Sequence, residues 1–121
     1  MSRINKEIFE SMSELKIAED RLSASFCFQK NFVGFQGHFE NKPILPGVCK
    51  IQSIVMMYSK KYAKTFRLKE VVSAKYTAPV TCDEEMVIEA VEHEDDSKKL
   101  HIRASILKGE EKVALLKLIL E

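Results

Sequence analysis

Apolar residues recur along the chain in two rhythms. Between Val48 and about Lys64, the residues Val48, Ile51, Val55, Tyr58 and Tyr62 fall three and four apart, and Ile54, Met56 and Met57 widen the apolar face until it nearly encircles the segment. That pattern predicts one long helix, buried on most sides. Pro46 and Gly47 open it, as suits a helix start, and Lys60, Lys61 and Lys64 put positive charge at the end where the helix dipole favours it.

Elsewhere the rhythm has period two. Leu22, Ala24, Phe26 and Phe28 form one apolar row, Val72, Ala74, Tyr76 and Ala78 another, Met86, Ile88 and Ala90 a third, and Leu100, Ile102, Ala104 and Ile106 a fourth. These rows predict strands. The polar stretches "TCDEE" at 81–85, "EDDSKK" at 94–99 and "KGEEK" at 108–112 separate them and are short enough for antiparallel connections. The final run "VALLKLILE" is apolar on both faces, as in a strand that is central or covered. The expected order is a short N-terminal helix or turn, a strand, a loop, the long helix and four antiparallel strands. The simplest architecture is α+β, one helix wrapped by one curved sheet, in a single domain over residues 1–121.

Composition narrows the function. A formal net charge of +1 lacks the basic excess of a nucleic-acid-binding domain, and 45% hydrophobic content suffices for a continuous core. No apolar stretch has the length of a signal peptide or a membrane span, so a cytoplasmic protein without a membrane partner is expected. Cys27, Cys49 and Cys82 are odd in number and lack CxxC spacing, which favours reduced, structural thiols. His93 and His101 lie in polar surroundings and read as solvated; neither Cys nor His spacing supplies a metal site, and no cofactor is expected.

The candidate chemistry lies ahead of the long helix. Gly34, Gly37, Pro43, Pro46 and Gly47 gather three of the four glycines and two of the three prolines into fourteen residues around His38, which implies a constrained backbone path. The loop delivers Gly47 to a helix N-terminus, where free N–H groups and the dipole favour developing negative charge.

The segment "GHFENKPILPGVCKIQSIVMM" resembles the active-site segment of the β-hydroxyacyl-acyl carrier protein dehydratases of fatty acid synthesis, the FabZ/FabA type, which reads approximately G-H-F-P-G-x-P-[IV]-x-P-G-V-x-x-x-E. "LKEVVSAKYTAPVTCDEEMVIEAV" is similar to the strand, turn and strand that follow in that family, so the likeness runs from about Ser23 to Glu121. The resemblance implies the hotdog fold. It also implies that His38 removes the α-proton of a β-hydroxyacyl thioester, that the Gly47 N–H polarises the thioester carbonyl, and that each site is shared between two subunits of a homodimer, with a trimer of dimers as a higher assembly. The implied partner is an acyl carrier protein or acyl-CoA thioester; the basic run Lys60, Lys61, Lys64, Arg67 and Lys69 is a candidate dock for an acidic carrier.

Three positions depart from that pattern. Glu40 and Asn41 replace a Pro-Gly, "TCDEE" keeps only Asp83 of a P-G-D turn, and Gln52 stands where the family has its acid. Glutamine cannot give up a proton at accessible pH, so Gln52 cannot protonate a departing hydroxyl; Glu40, two residues from His38, is the alternative acid. The leading expectation is a 3-hydroxyacyl-acyl carrier protein dehydratase with impaired activity. The alternatives are a non-catalytic acyl-thioester-binding or regulatory relative, and a thioesterase on the same fold.

Overall fold

A computed structural model describes residues 2–35 and 43–121. The elements run α1 (Arg3–Glu10), β1 (Met12–Ile17), β2 (Leu22–Cys27), a 3-10 turn (Val33–Phe35), α2 (Gly47–Tyr62), β3 (Leu68–Tyr76), β4 (Glu85–Glu94), β5 (Leu100–Lys108) and β6 (Glu111–Leu120). All six strands form one antiparallel sheet in the order β1-β2-β4-β5-β6-β3. Period-two alternation explains its inner face: Leu22, Ala24 and Phe26, then Met86, Ile88 and Ala90, then Leu100, Ile102, Ala104 and Ile106, all point into the core around α2. The closing run becomes β6, central between β5 and β3, as its two-sided apolar pattern requires.

The start of the chain holds more than a helix or turn. Ser2 caps α1 by accepting from the Asn5 N–H at 3.2 Å, and Ile8 is buried beneath it. The strand β1 follows, unannounced by alternation because an edge strand with only Met12 buried needs little apolar sequence.

The phase of α2 differs from the expected one. Val48 is 69% exposed and Tyr62 is exposed, whereas Cys49, Lys50 and Ser53 are buried with Ile54 to Tyr58. A segment apolar on nearly every side has no single stripe to set its rotation, so packing against the sheet and α1 decides it.

Two further corrections concern β3 and the cysteines. The row Val72, Ala74 and Tyr76 is exposed along its length because β3 is an edge strand, paired only with β6. "TCDEE" is therefore no hairpin: β3 and β4 are not neighbours, and residues 77–84 carry the chain from the sheet edge to a strand between β2 and β5. Cys49 is buried, but Cys27 is exposed at the end of β2.

Candidate functional site

The candidate site lies where the chain enters α2. Ahead of it, Phe28, Phe32 and Phe35 pack ring on ring, with centroids 4.6 Å and 5.4 Å apart, fixing the 3-10 turn in the core. The Val33 N–H donates to the Glu7 carboxylate at 2.9 Å; that bond, then the Arg3 partner, holds the Glu7 carboxyl below its usual range. On the far side, the Leu45 N–H donates to the Val80 carbonyl at 2.7 Å, Ile44 bridges Thr81, and the Thr81 hydroxyl donates to the Pro43 carbonyl. Both flanks are thus tied into the fold. His38 and Glu40 fall between them, in 36–42, outside the described residues.

Pro46 is the N-cap and Gly47 the first residue of α2. The Pro46 carbonyl accepts from the Cys49 and Lys50 N–H groups at 3.0 and 3.2 Å, which leaves the N–H groups of Gly47 and Val48 without partners inside the helix. No acidic side chain occupies the first turn, so the positive end of the helix dipole is not offset from within. This end of α2 can polarise a carbonyl oxygen.

Tyr76 of β3 covers that helix start. Its hydroxyl donates a long hydrogen bond to the Gly47 carbonyl at 3.4 Å, and a Cβ on residue 47 would meet the ring at 3.0 Å. Glycine lets the ring sit this close without displacement. Lys50, only 3% exposed, brings its Nζ 5.1 Å from the centre of the same ring. Burial, and then the nearby Lys108, lower the Lys50 ammonium below its ordinary range; burial raises the Tyr76 phenol and the Cys49 thiol.

Gln52 is half-buried one turn beyond Val48, on a different side of α2 from Lys50, since two helical positions separate side chains by roughly 200°. The structure therefore brings Gly47, Lys50 and Tyr76 together and leaves Gln52, half-buried, on the side of α2 turned away from Lys50. The lysine had a legible signal as the one charge amid the apolar face of α2. Tyr76 had none, because its place depends on the pairing of β3 with β6.

The other candidates are more engaged than their sequence surroundings suggest. His101 is half-buried, with Nε2 2.8 Å from Asp95 Oδ2 and its ring stacked on His93 at 4.7 Å. That bond, with the Lys99 N–H and the Ser97 hydroxyl, holds the Asp95 carboxyl well below its usual range. In the basic run, Lys61 is bound to Glu92, and Arg67 lies 3.7 Å from Glu121. Lys60 and Lys64 of the same run lie over the rings of Phe9 and Phe66, with no carboxylate within 4 Å among the described residues. No helix among the described residues is long and apolar enough to cross a membrane.

Solved structures share this architecture. The dehydratase heterocomplex ApeI:P from Xenorhabdus doucetiae matches with a TM-score of 0.66 and 20% identity, over 90% of this chain and 95% of that one. The PaaI protein of E. coli matches with a TM-score of 0.70 and 9% identity, over 97% and 88%. A mutant thioesterase from Pseudomonas aeruginosa matches with a TM-score of 0.67 and 10% identity, over 90% and 78%. No curated protein matches in sequence. An antiparallel sheet of this order around α2 is the hotdog fold. Residues 14–115 match the model of the ApeI-like family, ApeI dehydratase, and the chain belongs to that family.

Proposed function

We propose that the chain is a dehydratase of 3-hydroxyacyl thioesters, carried on an acyl carrier protein or coenzyme A, and that it works as a homodimer of the FabZ type with a weakened acid step. The observation that carries the reading is the dehydratase family match over 14–115, which spans the whole H-F-x-x-x-P-x-x-P-G-V segment and the helix start at Gly47. In this reading His38 takes the α-proton, and the Gly47 N–H receives the charge developing on the thioester oxygen. Gln52 hydrogen-bonds the β-hydroxyl or a water but cannot protonate it. The hydroxyl then leaves with a proton drawn from solvent or from Glu40, and water is eliminated.

The homodimer is supported by the contrast between the sheet's two edges. The β1 edge is six residues long, bulged between Ser13 and Lys16, and carries Glu14 and Lys16. The β3 edge is nine residues long; it too is irregular against β6 and carries Lys69, Glu70 and Lys75, but it exposes Leu68, Val71, Val72 and Tyr76. A long edge with exposed apolar side chains offers more to pair with than a six-residue one whose only buried side chain is Met12. Pairing through β3 would bring a second subunit against Tyr76, and hence close to Gly47.

Gln52 favours a second reading, a relative that binds acyl thioesters without turning them over. One experiment separates the alternatives: the purified protein is incubated with 3-hydroxyacyl and enoyl thioesters while hydration and free-thiol release are followed together. Slow, reversible interconversion without thiol release is the expected result. Thiol release alone would assign a thioesterase, and saturable binding with neither reaction would assign the non-catalytic relative.

A further inference from the structure

The outer face of the sheet, opposite α2, carries a groove of about 650 Å³ across β3, β6, β5 and β4. Its walls are Lys75, Arg103, Lys112 and Lys117, all exposed. Among the described residues none of these four has a carboxylate within 4 Å. The groove's one acidic side chain, Glu89, is already paired with Arg21 at 3.4 Å. For a chain of net charge +1, this is a marked concentration of positive charge.

The register makes the concentration costly. Arg103 and Lys117 sit directly opposite each other across β5 and β6, a like-charge cross-strand pair that destabilises a sheet unless an anion lies between the two groups. Ser73 faces Lys117 from β3 and extends the same row. In the adjacent row, roughly 7 Å along the strands, Lys75 faces Leu115, Leu115 faces Ser105, and Ser105 faces Glu89, whose charge Arg21 offsets. Each row thus offers positive charge and a hydroxyl, and Leu115 between them is 46% exposed, an apolar platform in a cationic groove.

We propose that this groove binds a small organic phosphate carrying two or more negative charges. The guanidinium of Arg103 and the ammonium of Lys117 hold one phosphate with the Ser73 hydroxyl, Lys75 and Ser105 hold the second, and the ligand's organic part rests on Leu115. Arginine and lysine side by side suit a phosphate, and the groove has the volume of a small-molecule site rather than of a protein interface. The site lies on the opposite face of the sheet from α2 and does not depend on the dehydratase reading.

The test uses isothermal titration at constant ionic strength with inorganic tripolyphosphate and with ADP, on wild type, on Arg103→Gln/Lys117→Gln, and on Lys60→Gln/Lys64→Gln as a control for general charge. Wild type and the control should bind at least one probe saturably, and the groove variant should bind roughly tenfold or more weakly. Without ligand, the groove variant should melt at a higher temperature than wild type, because the opposed charges are gone. Tighter binding of ADP than of tripolyphosphate supports the contact with Leu115; the reverse would overturn that contact and with it the organic ligand. Absence of saturable binding at millimolar probe, equal weakening in the control, or binding of poly-glutamate but of neither phosphate probe would overturn the proposal.

Discussion

The Tyr76 hydroxyl donates to the Gly47 carbonyl across 3.4 Å, tying the exposed edge strand β3 to the first residue of α2. The edge where a second subunit is proposed to pair and the helix start proposed to polarise a thioester are therefore in direct contact. A methyl at residue 47 would press on the ring at 3.0 Å, but the atoms it meets belong to the tip of a side chain 42% exposed, which can swing away. Gly47→Ala should fold and cost less than about 1 kcal/mol, the low end of overpacking. Adding Tyr76→Ala should remove that cost, as read from denaturant midpoints.

Lys50 is a buried cation in the first turn of a helix, where the dipole also disfavours it. Its ammonium is lowered in the fold by burial and by Lys108, so at pH 7, with both folded and unfolded chains protonated, the full penalty is present. As pH rises through the lowered folded value toward the ordinary one near 10.4, the unfolded chain holds more protons and stability increases. Lys50→Met should stabilise the protein at pH 7 by about 1 kcal/mol or more, and the gain should shrink toward pH 10. Denaturant unfolding at the two pH values reads this directly; a loss of stability at pH 7 would mean that the ammonium is held by a net favourable contact.

Tyr58 is fully buried in α2, and among the described residues its hydroxyl has no hydrogen-bond partner. Burial, then Glu92, raise the phenol far above its ordinary range. Tyr58→Phe removes an unsatisfied polar atom and keeps the ring, so a gain of about 1 kcal/mol is expected. Thermal and denaturant melts should agree on the sign.

Much of this architecture was legible in the chain, and the exceptions share a cause. Strands with one buried face announce themselves by alternation, as Leu22 to Phe26 and Leu100 to Ile106 do. Edge strands do not: β1 has only Met12 to bury, and β3 spends its apolar residues on an edge that the isolated chain leaves open. The rotation of α2 was equally hidden, since residues apolar all round cannot say that Lys50 faces the sheet and Val48 faces out. At the site, Pro46-Gly47 marked the helix start correctly, whereas Tyr76 reaches Gly47 only through strand pairing between residues distant in sequence.

The edge contrast yields a test of assembly. Light scattering at micromolar concentration should show a dimer, and Val72→Lys, which places a charge on a β3 side chain 51% exposed in the single chain, should shift it toward monomer. If each site is shared, the same variant should lose thioester turnover in parallel. A wild-type monomer, or a dimer indifferent to Val72→Lys, would remove β3 as the pairing edge.

The most direct test of the account is the dehydration rate of a 3-hydroxyacyl thioester by wild type, Gln52→Glu and each of these with His38→Ala. Proton abstraction requires only the base and the oxyanion donor, so the missing acid should be felt at the departure of the hydroxyl. Glutamate is nearly isosteric with glutamine, and partial burial would raise its pKa, which helps an acid at neutral pH. Gln52→Glu should raise the rate by about 10²-fold or more, the lower range of what a positioned acid contributes, and His38→Ala should abolish activity in both backgrounds. A correctly folded Gln52→Glu protein with no more dehydration than wild type would contradict the account.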